Sequence, residues 1–179
     1  MEEPEPALIR AAGAGDLAAF ERLVRAYQEP VWRFLRRLLG DAGVAEDVAQ
    51  ETFLRVFRRL PTFTFEARFS TWVFQIARNA GVDELRARNR RSRLASLAPP
   101  PPSTVGMPEA RAEIDAALAS LPVDLREAIL LIEVLGLRYH EVARVLGVPE
   151  GTVKSRVFSA RTRLHRWSTA DDERASREV

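Results

Sequence analysis

Gly147, Val148 and Pro149 interrupt a helical pattern, and this interruption constrains the fold more than any other feature of the chain. Before it, Val142, Val145 and Leu146 are spaced i, i+3, i+4 and make one apolar stripe. After it, Val153, Val157, Ala160 and Leu164 repeat at intervals of four, three and four. Glycine readily ends a helix, and proline suits a first helical position, where its missing N–H costs nothing. Two short helices joined by a tight turn, with Val148 plugging the angle between them, make a helix-turn-helix. The second helix of such a unit enters the DNA major groove. Its outward positions here are Thr152, Lys154, Ser155, Arg156, Phe158, Ser159, Arg161, Arg163 and Arg166. Glu150 lies in the first turn, where the helix dipole favours an anion. The plain alternative is an amphipathic helix with a solvated Arg-rich face.

The remaining chain is also patterned as helices, and no run alternates with period two. Leu17, Phe20, Val24, Tyr27, Val31, Phe34, Leu35 and Leu38 keep helical spacing from a cap at Asp16 to Gly40, with Pro30 a point where the helix kinks or splits. A second helix is expected from about Val44 to Leu60. A third starts after Ser70, a good N-cap, and runs to about Arg90. Residues 94–108 hold a run of four prolines and read as an extended linker. The predicted architecture is therefore all-α: a helical domain over 1–93, the linker over 94–108, a helix-turn-helix domain over 109–167 and a frayed polar tail over 168–179. Within the second domain, breaks are expected near Leu121-Pro122 and Leu135-Gly136.

Composition narrows the function. The net charge of +2 rules out a polycation, and the 46% hydrophobic content allows a real core. Charge is unevenly placed, however. Arg86, Arg88, Arg90, Arg91 and Arg93 follow one another without an acid, whereas Glu109 to Glu133 is acid-rich. The absence of cysteine excludes disulfides, thiolate metal sites and cysteine nucleophiles. With only His140 and His165, no metal site and no cofactor are expected. His140-Glu141 begins a zinc-protease pattern that fails at Arg144. No membrane insertion and no secretory signal are expected.

Two further surfaces stand out. Asp47, Gln50 and Glu51 share one helix face, with Leu54 next along it, which suits a basic partner surface. Paired carboxylates also suit acid–base catalysis, and a solvated face is the plain reading. Phe63, Phe65, Phe69 and Trp72 supply rings, and Arg68, Gln75, Arg78 and Asn79 supply donors. Stacking surfaces beside phosphate-attracting groups are what single-stranded nucleic acid needs. Arg86 and Arg88 open a basic extension suited to duplex phosphates.

Three blocks in this order resemble the bacterial RNA polymerase sigma factors of the small extracytoplasmic-function (ECF) kind. Ala45-Glu46-Asp47-Val48-Ala49-Gln50-Glu51-Thr52-Phe53 is similar to that family's polymerase-docking helix. Phe69-Ser70-Thr71-Trp72-Val73-Phe74-Gln75-Ile76-Ala77-Arg78-Asn79 is similar to its element that melts and reads the −10 promoter region. Leu121-Pro122 through Arg161 resembles its −35 reader. The resemblance implies a cytoplasmic, non-enzymatic subunit that joins core polymerase, reads two promoter boxes and helps open the duplex. It implies docking by Asp47, Gln50 and Glu51 on the clamp helices of the largest subunit, with the flap of the second-largest subunit as a further contact. It implies capture of an unstacked −10 base by the Phe63–Arg68 loop, with Trp72, Gln75, Arg78 and Asn79 supporting the strand. Lys154, Ser155, Arg156, Phe158 and Arg161 then face the −35 box from one side of their helix. Family members are commonly held inactive by an anti-sigma protein. Two other classes stay open: a helix-turn-helix regulator that does not join polymerase, and a helical interaction protein or carboxylate enzyme.

Overall fold

The computed structural model describes residues 2–95 and 109–175, with side chains for 2–92 and 112–167. The central run of the Pro-rich linker, residues 96–108, and the last residues, 176–179, lie outside the described residues. Every regular element among those described is helical. They are α1 (Pro6–Gly13), α2 (Leu17–Leu39), α3 (Ala42–Arg59), a short 3-10 turn at Leu60–Thr62, α4 (Phe69–Ala95), α5 (Glu109–Ser120), α6 (Val123–Ile129) with a π-helical extension at Leu130–Val134, α7 (Tyr139–Leu146) and α8 (Glu150–Ala175). α8 thus carries on into the polar tail that begins at Ser168.

Helix α2 is the hub. The Asp16 carboxylate caps it by accepting from the Ala19 N–H at 3.0 Å, and Gly40 closes it in the left-handed conformation at φ 72°. Pro30 does not split it. A proline inside a helix costs about 3 kcal/mol. The buried stripe Leu23, Tyr27, Val31, Phe34, Leu35 and Leu38, packed between α3 and α4, offsets that cost. Rings interlock edge to face across this core: Phe34 with Phe74 at 6.2 Å and Tyr27 with Phe69 at 5.4 Å.

Gly81 of α4 sets the approach of α4 to α2. A Cβ there would lie 2.9 Å from Leu38 Cδ2 and 3.0 Å from Leu35 Cδ2. Both leucines are buried in the core, so they have nowhere to move. Gly81→Val is expected to cost about 2–3 kcal/mol of overpacking. The small gain in helix propensity over glycine does not recover this. Thermal unfolding by circular dichroism should show a melting point at least about 5 °C lower, and an unchanged one would refute the tight contact.

The start of α4 departs from expectation. Ser70 is not its N-cap: the helix begins at Phe69, and the Ser70 hydroxyl is buried without a hydrogen-bond partner. The cap comes from Glu3, whose carboxylate accepts from Phe69 N–H at 2.8 Å and Ser70 N–H at 3.2 Å. A long-range carboxylate outcompetes the local hydroxyl because it satisfies two orphan donors and meets the positive helix end.

Candidate functional site

The helix-turn-helix forms as expected. Val142, Val145, Val153, Val157 and Ala160 are buried, and Gly147 turns the chain at φ 67°. The five residues expected on one side of α8 are nevertheless split. Lys154, Ser155 and Phe158 face outward, Phe158 with 73% exposure, while Thr152 and Ser159 are half-buried. Arg156 turns to α6, with Nε 3.6 Å from Asp124 and Nη1 3.7 Å from Glu127. Arg161 pairs with Glu133, whose hydrogen bond raises the guanidinium pKa. At ~100° per residue, positions 156 and 161 fall on opposite flanks of the buried stripe, where they meet neighbouring helices. Lys154 pairs with Glu150 at 2.9 Å.

The aromatic loop forms a cluster. Phe63 sits 4.8 Å from Phe65, 5.6 Å from Phe69 and 5.1 Å from Trp72 between ring centres. Phe69 belongs to the core, and Trp72 is half-buried. Phe65 is 40% exposed and adopts φ 61°, a left-handed conformation costly for an aromatic residue. The Arg10 guanidinium lies 5.1 Å above its ring. Burial pushes the Tyr27 phenol well above its usual pKa; Glu3 adds to this and Arg68 opposes it.

Farther along α4, Gln75 and Asn79 are exposed. Arg88 donates to the Leu39 carbonyl at 3.1 Å and so caps α2 instead of projecting to solvent. Arg86 is exposed, 3.7 Å from Asp83. Arg55 and Arg59 of α3 join Arg78, Asn79 and Arg86 around a polar cavity of about 320 Å3. Sequence reading missed these two arginines. Their i, i+4 spacing was visible, but not which neighbour that face would meet.

Between α2 and α3 lies an open groove of about 880 Å3. Gln50 and Leu54 line it, as do Glu46, Phe53 and Phe57 from α3 and Phe20, Val24 and Trp32 from α2. Asp47 is exposed and outside the lining, and Glu51 is tied to Arg55 at 2.8 Å. The expected face is therefore divided: Gln50 and Leu54 line the groove, whereas Asp47 and Glu51 do not, and the acids in the lining are Glu29 and Glu46. The α2 contribution was missed because Phe20 and Val24 continue the apolar helical spacing of Leu17 to Leu38, which does not mark where that stripe leaves the core.

The two domains pack on each other through ion pairs. Arg78 donates twice to Glu127, at 2.8 and 2.9 Å. Arg36 donates to Asp115 at 2.7 Å. Arg68 donates to the buried Glu141 at 3.2 Å, and Arg144 to the Glu66 carbonyl at 2.8 Å. Arg126 donates to the carbonyls of Leu38, Ala119 and Leu121; burial lowers its pKa. The acid-rich stretch after Glu109 thus meets arginines of the first domain. Among the described residues no cluster suits a metal ion and no helix is long and apolar enough to cross a membrane.

Two halves of this architecture match known families. Residues 23–91 match Sigma-70 region 2, and residues 111–164 match Sigma-70, region 4. The pair defines the class: a sigma subunit with a region 2 and a region 4 domain. Along its length the chain is 38% identical to the probable RNA polymerase sigma-C factor of Mycobacterium bovis, covering 96% of this chain and 95% of that protein. It is 35% identical to the RNA polymerase sigma-H factor of Pseudomonas aeruginosa, covering 89% and 91%. Of solved structures, it is similar to the sigma factor RpoE in complex with the anti-sigma factor NepR from Bartonella quintana. That match has a TM-score of 0.72 and 28% identity over 85% of this chain and 98% of the other. CnrH in complex with the cytosolic domain of CnrY gives a TM-score of 0.74 and 26% identity over 92% and 97%. The chain belongs to the ECF sigma factors of RNA polymerase. It is an alternative sigma factor that directs promoter-specific transcription, which sets aside a regulator that works apart from polymerase.

Proposed function

We propose a division of labour among the three surfaces of this sigma factor. The α2–α3 groove, with Gln50 and Leu54 in its wall and Asp47 and Glu51 on its rim, docks the clamp helices of core polymerase. A groove of mainly apolar side chains with Glu29 and Glu46 in its lining suits an amphipathic partner carrying basic residues. Phe63, Phe65, Arg68 and Trp72 capture an unstacked base of the −10 strand, and Gln75, Arg78, Asn79 and Arg86 follow its backbone. Arg55 and Arg59 extend that basic track. The outer face of α8, led by Thr152, Lys154, Ser155, Phe158 and Ser159, enters the −35 major groove. Arg156 and Arg161 join it once released from Glu127 and Glu133, and the flap of the second-largest subunit holds this domain in place. The subunit acts in the cytoplasm without catalysis of its own. An anti-sigma protein, the kind of partner in the RpoE–NepR complex, restrains it.

One observation carries the −10 assignment: a strained, exposed Phe65 abuts Phe63 at the edge of a cluster of rings at the start of α4. Stacking of a base on an aromatic ring contributes about 1–3 kcal/mol. Phe65→Ala holoenzyme should therefore open promoters about tenfold less well while forming the closed complex nearly normally. Permanganate footprinting on a cognate promoter reads the opened strand. Wild-type opening in the variant would remove Phe65 from this role.

A further inference from the structure

The base-capture loop has a second wall that neither matched family region covers, since the region 2 match begins at residue 23. A cavity of about 340 Å3 lies between the loop and the N-terminal segment. This is at the lower end of the ~300–1,000 Å3 typical of small-molecule sites. Phe63, Phe65 and Arg68 form one side; Glu3, Pro4 and Ile9 form the other. We infer that this segment completes the pocket and that Glu3 determines its specificity, selecting an unstacked base that carries an exocyclic amino group. The inference rests on the proposed role of the Phe63–Arg68 loop.

The Glu3 carboxylate is held rigidly. Oε2 accepts from Phe69 N–H at 2.8 Å, and Oε1 accepts from Ser70 N–H at 3.2 Å with Arg68 Nε 3.3 Å away. A carboxylate offers roughly four lone-pair sites. Oε2 has used one, so it keeps capacity for another donor. An ionised carboxylate only accepts hydrogen bonds. Adenine N6, cytosine N4 and guanine N2 are amino donors, whereas thymine has no amino group and its O4 and O2 are acceptors that would face it lone pair to lone pair. An acid on a surface that meets a polyanion is repulsive unless the group touching it is a donor, and the amino edge of a base is such a group. The same carboxylate positions Arg68 and the first turn of α4, so pocket shape and pocket chemistry depend on one side chain.

The test uses holoenzyme assembled from the full chain and core polymerase. The probes are promoter fragments pre-melted across the −10 element, with each of the four bases placed in turn at each non-template position. Phe65→Ala first marks the captured position as the one where base preference disappears. At that position wild type is expected to prefer adenine, cytosine or guanine over thymine by about tenfold, the scale of one hydrogen bond to a charged group. Glu3→Gln keeps the size of the side chain and an acceptor for the helix start but loses the carboxylate. It should remove about tenfold of that preference and leave binding of the thymine fragment unchanged. Glu2→Gln, the same loss of charge at an exposed neighbour, should change nothing. A Glu3→Gln holoenzyme that keeps the preference overturns the inference. So does one that binds all four bases equally more weakly or more tightly, because a helix cap or simple repulsion would then suffice. If Phe65→Ala marks no position, the base-capture reading itself fails and the inference falls with it.

Discussion

Replacing Glu127 with alanine is expected to open the molecule. Glu127 is 1% exposed and accepts two hydrogen bonds from Arg78 across the domain interface, with Arg156 Nη1 3.7 Å away. Removing one partner of a buried charge pair typically costs about 3–5 kcal/mol. Both arginines retain some solvent access, so the lower end applies, near 3 kcal/mol. That shifts the balance between packed and separated domains by roughly two orders of magnitude. On the proposed roles of the two domains, binding both promoter boxes calls for their separation. Boxes named −10 and −35 lie about 25 base pairs apart, on the order of 80 Å along the duplex at ~3.4 Å per pair. Residues 96–108, fully extended, span on the order of 45 Å, which together with the bodies of the domains allows the separation. Arg68 and Arg78 are paired with Glu141 and Glu127 across the packed interface, and Glu127 also lies beside Arg156 of its own domain. Small-angle X-ray scattering of Glu127→Ala should show a larger radius of gyration than wild type. The free variant should also bind a −35 duplex more tightly. A wild-type scattering curve would refute the account of Glu127 as the clasp.

Leu54→Asp is expected to be the most damaging single change to polymerase binding. Leu54 is 51% exposed in the wall of the α2–α3 groove, so the substitution spares the core while placing a charge on an apolar surface. Truncating a central interface anchor typically costs at least about 2 kcal/mol, and a buried unpaired carboxylate adds to that. The dissociation constant for core polymerase should rise at least about 30-fold. Asp47→Ala and Glu51→Ala remove rim charges, and should act mainly on association rate and its salt dependence. Fluorescence anisotropy of labelled protein titrated with core polymerase at low and high salt separates the two. A Leu54→Asp variant with wild-type affinity would move the docking site elsewhere.

Much of the molecule was legible from local pattern. The stripe from Leu17 to Leu38 placed α2, the Gly147–Pro149 break placed the helix-turn-helix, and Asp16 capped α2 as its position suggested. These succeed because helical periodicity and end signals act over four residues or fewer, which a single segment contains in full. Ser70 was misread, and Pro30 does not split α2, for a common reason. In each case a residue with a strong local preference was outweighed by distant groups, the packed core around α2 and the Glu3 carboxylate.

The sequence by itself determined the helical class, the two-domain order and the residue types of all three surfaces. Only the tertiary structure decided which of those residues are presented together. Helical spacing alone placed Asp47, Gln50, Glu51 and Leu54 on one face. The position of α2 then decided that Gln50 and Leu54 line a groove while Asp47 lies outside its lining and Glu51 is tied to Arg55. Arg156 and Arg161 read as outward-facing until α6 and the π turn supplied Asp124, Glu127 and Glu133 beside them. A helix's pattern states which face is apolar. Which charges end up opposite its flanks is set by helices far away in the chain, whose docking is a balance of many weak contacts that no single segment encodes.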